Sequence, residues 1–331
     1  MKKFWIYFLM LALVPALTLN SCKKSDDDNP DPATGTFETL KTYMVQNNLD
    51  LPDLLNGWVI DAKLIDEGGI VDPADYSIPD YYVFDIRDAE AFNNGHIKNA
   101  INVPLADVVT RAADYSDKPI LVVCHTGQTA GHAVMALRLS GYSDAKVLKW
   151  GMAGWNDDFS GSWANNIGNL GAGSPNWVTD AAPAPGSYSD PAWTSTTTDP
   201  ATLLQERVDA MLQGGLIKIA PADVLAAPEN YQIVNFWPEA DYLQFGHFKG
   251  AYQINPISLD GDVVKAIDPN VETLIYCYTG QTSSMVTAWL NVLGYNAKSI
   301  LFGVNALNYD ELEAASKPTY HGSHGYDYVT E

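Results

Sequence analysis

Short apolar runs alternate with stretches of helical periodicity along this chain, and the series occurs twice. Tyr81–Ile86 is β-branched and aromatic, bounded by Pro79 and Asp88, and predicts a strand. Pro119–Val123 is a continuous apolar run, the pattern of a strand buried on both faces. Thr129–Ser140 carries Val134 and Leu137 at helical spacing and stops at Gly141, which predicts a helix. A short strand, Ala145–Leu148, follows. The second series predicts strands at Tyr231–Phe236, Thr273–Tyr276 and Lys298–Leu301, with a helix over Thr282–Leu293. Strands alternating with helices predict an α/β fold, with mostly parallel sheets flanked by helices. Sites in such sheets lie at the carboxyl ends of the strands. Upstream, the spacing of Phe37, Leu40, Tyr43 and Met44 predicts an amphipathic helix that caps the first domain.

Self-comparison explains the doubling. Cys124-His125-Thr126-Gly127-Gln128-Thr129 returns as Cys277-Tyr278-Thr279-Gly280-Gln281-Thr282. Gly95-His96, Ala100, Gly141-Tyr142, Ala145-Lys146 and Gly151 return in the same order, at spacings of 151 to 153 residues. The drift is what small loop insertions produce. Two copies of one domain are expected, the first over 37–157 with its helical extension and the second over 203–331. Residues 158–202 form a long connection rich in Gly, Ser, Ala and Pro. Its Trp163, Trp177 and Trp193 would pack on the domains.

The N-terminus has a different pattern. Lys2 and Lys3 precede an apolar run, Phe4–Val14, too short for a comfortable membrane-spanning helix. Leu19-Asn20-Ser21-Cys22 resembles the lipobox of bacterial lipoproteins, which implies cleavage of residues 1–21 and lipidation of Cys22. Residues 22–36 read as a charged, solvated tether. Lysine followed by acids directly after the cysteine looks like the surface-export signals of Bacteroidetes lipoproteins. The expected location is therefore the cell envelope, with membrane contact only through the N-terminal lipid.

Composition narrows the partners. The 331 residues carry 19 basic and 40 acidic side chains, a net charge of −21. A field of that sign disfavours non-specific binding of nucleic acid or anionic lipid. Three cysteines are too few for a disulfide scaffold. His321 and His324 are too few ligands for a metal site, and no cofactor is called for. The oligomeric state is left open.

Cys124 and Cys277 each fall after a core strand and just before a helix. Inward-pointing loop N–H groups and the helix dipole favour a thiolate, and so a thiol pKa below its usual ~8.5. The same cradle suits an oxyanion beside the sulfur. Gly127 and Gly280 permit the tight path, and Thr126, Gln128 and Thr129 offer hydrogen bonds. His125, next to the nucleophile, offers positive charge or a donor.

These features together resemble a tandem rhodanese, of the sulfurtransferase family. The first copy has Val83-Phe84-Asp85-Ile86-Arg87, Phe92-x-x-Gly95-His96-Ile97-x-x-Ala100, Val103-Pro104, the cysteine loop, and Leu148-x-x-Gly151-x-x-Gly154-Trp155. The second has Tyr242, Gly246–Ala251, its loop, and Leu301-x-Gly303. The resemblance implies that Cys124 and Cys277 accept a sulfane sulfur from thiosulfate or a persulfide and pass it to a thiol or cyanide. It makes His125, Thr126, Gly127, Gln128 and Thr129, with Tyr278, Thr279, Gly280, Gln281 and Thr282, the substrate-binding loops. It makes Asp85 and Arg87 supports of the first loop; Asn235 and Trp237 stand at the corresponding places of the second. Neither loop holds the Arg or Lys common in thiosulfate users. The related phosphatases place Arg six residues after the cysteine; here Ala130 and Ser283 stand there. The alternative is a surface binding module or a persulfide carrier without turnover.

Overall fold

The computed structural model describes residues 35–330. The expected signal segment, Cys22 and nearly all of the tether lie outside the described residues.

Two five-stranded sheets, each wholly parallel, organise the chain. The first contains β1 (Val59–Ile60), β2 (Tyr82–Asp85), β3 (Ile101–Asn102), β4 (Ile120–Val123) and β5 (Lys146–Leu148), in the spatial order β1-β5-β4-β2-β3. The second contains β6 (Lys218–Ile219), β7 (Gln232–Asn235), β8 (Tyr252–Gln253), β9 (Thr273–Tyr276) and β10 (Ala297–Ile300), in the equivalent order β6-β10-β9-β7-β8. Val83 pairs with Leu121 and Ile233 with Leu274, so the central register also repeats. The predicted strands differ from these by about a residue at their ends. Pro119 stays outside β4, where it has no N–H to give to the ladder, but its carbonyl accepts from Tyr82 N. The two-residue edge strands β1, β3, β6 and β8 carry too little pattern to be read from sequence.

Two long helices, α2 (Gln128–Leu139) and α4 (Gln281–Leu293), follow the two central strands, and α1 (Phe37–Gln46) and α3 (Pro200–Gly214) pack around them. α2 and α4 lie against each other and are buried on nearly every side. One side of each covers its own sheet and the other covers its partner, which is why polar residues such as His132, Ser283 and Thr287 are buried there along with the apolar ones. Each fully buried Leu or Val there, such as Leu137 or Leu290, contributes roughly 1.5–3 kcal/mol. α3 crosses both helices on Leu203, Leu204, Val208, Met211 and Leu212, after an Asp199 cap and Pro200 in its first turn. Its Arg207 donates to the carbonyls of Val292 (2.8 Å) and Asn291 (3.0 Å) at the end of α4. Arg138 at the end of α2 donates to those of Ala145, Leu54, Asn56 and Gly57.

Two segments sit elsewhere than expected. α1 buries Phe37, Leu40 and Met44 against α3 and α4 instead of capping the first sheet. The residues after it continue onto the second half, where the Asp50 carboxylate accepts from Ser258 Oγ (2.5 Å), Leu259 N (2.9 Å) and Asp260 N (3.0 Å). The helix goes where the largest apolar cluster is, and that cluster spans both halves. At the other end, the C-terminal segment leaves the second half and lies on the first. Trp155 Nε1 donates to Asp327 O (2.9 Å), Asn156 Nδ2 to Tyr326 O (2.7 Å), and His96 exchanges backbone hydrogen bonds with Val329. The connection between the halves is anchored through its tryptophans: Trp163 is fully buried, Trp177 Nε1 donates to Phe245 O (3.2 Å), and Trp193 Nε1 to Leu293 O (2.9 Å).

Candidate active site

Cys124 is the first residue past β4, and α2 begins four residues later. The chain turns at Gly127, with φ +80°, and the second copy turns at Gly280, with φ +77°. That left-handed region is open to glycine at no steric cost. The turn aims amide groups at the sulfur. Cys124 Sγ accepts from Gly127 N at 3.1 Å and from Ala130 N at 3.3 Å. Cys277 Sγ accepts from Ser283 N at 3.4 Å. Both sulfurs are buried, at 4% and 2% residue exposure.

A second turn clamps each loop from behind. Met152 N donates to Cys124 O (2.9 Å) and Ala153 N to His125 O (3.0 Å); Val304 N and Asn305 N do the same for Cys277 O (3.1 Å) and Tyr278 O (3.0 Å). A Cβ on Gly151 would stand 2.3 Å from Cys124 O, and one on Gly303 2.2 Å from Cys277 O. Only glycine lets the two turns close on each other.

The expected low thiol pKa is not found at Cys124. Burial pushes this thiol up; the N–H groups of Thr126, Ala130 and Gly127 pull it down by less, and Asp85 adds to the rise. The His125 imidazole is held below its ordinary value by desolvation, then by Arg87 and Lys218, against Asp85 and Asp88. This favours the neutral imidazole, and so the donor role, of the two that the sequence offers for His125, positive charge or a donor.

With this geometry in place, comparisons with known proteins decide the family. The sequence model of the rhodanese-like domain matches residues 63–158. The thiosulfate sulfurtransferase GlpE of Shewanella oneidensis is 36% identical over 78 residues, which are 23% of this chain and 75% of that protein. The chain belongs to the rhodanese-like family. GlpE of Pseudomonas fluorescens is 38% identical over 80 residues, 23% of this chain and 72% of that protein. Among solved structures, the thiosulfate sulfurtransferase of Pseudomonas aeruginosa is 13% identical and covers 86% of this chain and 48% of its own, with a TM-score of 0.27.

In this rhodanese-like chain the two cysteine loops meet across the boundary between the halves. Gln281 Nε2 donates to Thr126 O (2.8 Å), and Phe302 N donates to Gln128 Oε1 (2.8 Å). Gln128 and Gln281 are buried and clip the halves together, and Gln281 also lines a cavity beside the second loop; the sequence alone places both in substrate-binding loops. Thr126 O also accepts from Trp163 Nε1 (3.0 Å), and Thr126 Oγ1 from Gln128 Nε2 (3.1 Å). Thr279 Oγ1 accepts from Gln281 N (3.3 Å), and the Tyr278 hydroxyl donates to Asp241. Thr129 and Thr282 are half-buried at the first turns of their helices.

Asp85 and Arg87 form a sealed ion pair, Arg87 Nη2 to Asp85 Oδ2 at 2.6 Å with both side chains 1% exposed. Arg87 Nη2 also donates to Gly95 O (2.7 Å). The pair ties the β2 end to the following loop and makes no hydrogen bond to residues 124–129 among the described residues; it reaches Cys124 and His125 through its field. In the second copy Asn235 and Trp237 occupy these places, and the Asn235 amide and Trp237 Nε1 are buried without partners among the described residues. Sequence reading missed Lys149, contributed by the first rhodanese-like half to a cavity that Tyr278 of the second loop also lines. Its place directly past the carboxyl end of β5 was the available signal.

Proposed function

We propose that the protein is a sulfurtransferase in which Cys124 and Cys277 carry a sulfane sulfur as a persulfide. The observation that carries this reading is the Cys124 sulfur at the end of a buried parallel strand, facing two backbone N–H groups at 3.1 and 3.3 Å. With thiosulfate, the thiolate attacks the outer sulfur, the S–S bond breaks, and sulfite leaves with the electron pair. A thiol or cyanide acceptor then attacks the terminal sulfur of the persulfide and the cysteine leaves as thiolate. N–H groups directed at the sulfur stabilise the anionic persulfide between the two steps. No step calls for a metal or cofactor.

The test is mass spectrometry of the protein after exposure to thiosulfate, mercaptopyruvate or glutathione persulfide. The reading expects the mass of one added sulfur atom on Cys124, lost again on addition of cyanide. No adduct on either cysteine from any donor refutes it. A second reading, a persulfide carrier that turns over slowly, is favoured by the raised Cys124 thiol and the lack of Arg or Lys in either loop. Adduct formation without steady turnover selects it. We further propose that Cys22 is lipidated and holds the protein in the cell envelope, on the strength of the lipobox-like Leu19–Cys22; fatty-acid label retained after Cys22→Ser overturns this.

A further inference from the structure

A cavity of about 460 Å³ opens beside the second cysteine loop, and part of its wall comes from the first half of the chain. Tyr278, Thr279 and Thr282 line it from the loop side. Trp58 and Pro318 give it apolar surface. Lys149 and Asp61 face it from just past the carboxyl ends of β5 and β1. Their side chains are two-thirds buried, and Lys149 Nζ stands 3.8 Å from Asp61 Oδ2. That is too long for a hydrogen bond, and neither atom has another hydrogen-bond partner among the described residues. Asp61 Oδ1 is occupied, by Ala62 N (3.0 Å) and His324 Nε2 (3.4 Å). The two charges thus face each other as a loose ion pair, with Lys149 Nζ also 5.1 Å from the centre of the Trp150 ring, and the hydrogen-bonding capacity of Nζ and Oδ2 is unused among the described residues, next to an apolar wall and the Cys277 loop.

We propose that this cavity binds an α-amino-acid thiol or its persulfide, with Lys149 receiving the ligand carboxylate, Asp61 its ammonium group, and the apolar wall its methylene. The inference rests on the reading of Cys277 as a sulfur carrier. The pairing of signs decides the ligand class. A small inorganic dianion placed against Lys149 also meets the Asp61 carboxylate, whereas a zwitterion satisfies both. The volume falls in the range of small organic ligand sites, roughly 300–1,000 Å³, and is larger than thiosulfate needs. In the transfer, the Cys277 thiolate attacks the outer sulfur of R–S–SH. The donor S–S bond breaks, the Cys277–S bond forms, and R–S⁻ leaves with the electron pair and takes up the proton that Cys277 gave up. The sum is R–S–SH plus Cys–SH giving R–SH plus Cys–S–SH, with no outside oxidant or reductant.

The probe is S-methylcysteine, which cannot donate sulfur, titrated calorimetrically into the full chain. Wild type binds it; Lys149→Met and Asp61→Asn each weaken binding about ten-fold, the low end of a charge-assisted hydrogen bond, and Lys149→Arg retains it. In parallel, the ratio of Cys277 loading by cysteine persulfide to loading by an uncharged alkyl persulfide falls about ten-fold in Lys149→Met. No binding to wild type, equal binding to all variants, loss in Lys149→Arg as severe as in Lys149→Met, or an unchanged ratio overturns the proposal. Binding that depends on both residues, with no sulfur appearing on either cysteine from any donor, upholds the cavity assignment and refutes the sulfur-transfer reading instead.

Discussion

Cys124 and Cys277 sit at the same turn of two copies of one sheet, behind glycines with φ within 3° of each other, and yet their surroundings differ. Cys124 faces two N–H donors and stands near a sealed Asp85–Arg87 pair. Among the described residues Cys277 faces one donor at 3.4 Å, and the equivalent of the ion pair is an asparagine and a tryptophan whose side-chain polar atoms have no partner there, set among Tyr276, Phe245 and other aromatics. The backbone path is kept because it follows from glycine placement and strand order. The support is free to change because apolar packing and ion pairing can both fill the space beneath a loop. The second loop has exchanged charge beneath it for aromatic bulk: Tyr278 lies 4.7 Å from Trp237, ring centre to ring centre, and donates to Asp241, which Lys317 pairs at 2.8 Å.

The largest effect expected from this difference is in the chemistry. With thiosulfate as donor, Cys124→Ser lowers turnover at least ten-fold, because one further N–H donor to an anionic sulfur contributes about 1.5 kcal/mol or more. Cys277→Ser lowers it less. Steady-state rates of the two variants check this, and the reverse order means that the donor count does not rank the sites.

Stability should separate the two supports. Arg87→Met leaves the Asp85 carboxylate buried and unpaired, and costs about 3–5 kcal/mol. Trp237→Phe removes a donor that has no partner among the described residues, so its loss of packing is partly offset and the change stays within about 1 kcal/mol. Urea midpoints of both variants give the comparison; equal shifts would mean that the ion pair is no more important than its aromatic replacement.

The helices behind the loops differ in one buried group. His132 on α2 is fully buried, its Nε2 facing Met211 O at 3.3 Å and its Nδ1 without a partner among the described residues; Met285 occupies the repeat-equivalent place on α4. Burial lowers the His132 pKa from 6.5 to about 4. Above pH 6.5 both folded and unfolded forms are neutral and stability is whole. As pH falls from 6.5 toward 4 the unfolded chain takes up a proton that the fold refuses, and stability declines by on the order of 3 kcal/mol. His132→Met should flatten that decline in denaturation measured from pH 7 to 4.

The smallest expected difference lies between the two turn glycines. Alanine at either left-handed position costs about 1–2 kcal/mol. Gly280→Ala should cost more than Gly127→Ala, because its Cβ would meet the backbone at Phe302 N (2.8 Å) as well as Gln128 Oε1, while that of Gly127 first meets the movable end of Gln281 (2.3 Å). Thermal midpoints of the two variants decide.

Much of this fold is legible from local pattern. The continuous run Ile120–Val123 and its partner Thr273–Tyr276 are buried on both faces, so their residues are mostly apolar, and such runs stand out. The edge strands do not, since two residues carry no period. α3 was within reach: Leu203, Leu204, Val208, Met211 and Leu212 after Asp199-Pro200 have helical spacing and a start signal. The cysteines and turn glycines were visible because a repeat marks them twice. The roles of Gln128 and Gln281 were not, because a polar side chain in a loop reads as a ligand group until its partner is known.

The sequence by itself determined the doubling of the domain, the strand–cysteine–helix unit and the glycines that shape it, since these depend on contacts within one copy and on residue types with few alternatives. Tertiary structure decided what passes between the copies. The loops are clipped by exchanged glutamines, α1 lies across the second half, the C-terminal segment lies across the first, and Lys149 stands at the loop of the other copy. Such contacts join residues more than a hundred positions apart and leave no period in the chain. The Cys124 thiol shows the same division: the turn that aims N–H groups at its sulfur is local, but the burial that outweighs them comes from the packed molecule.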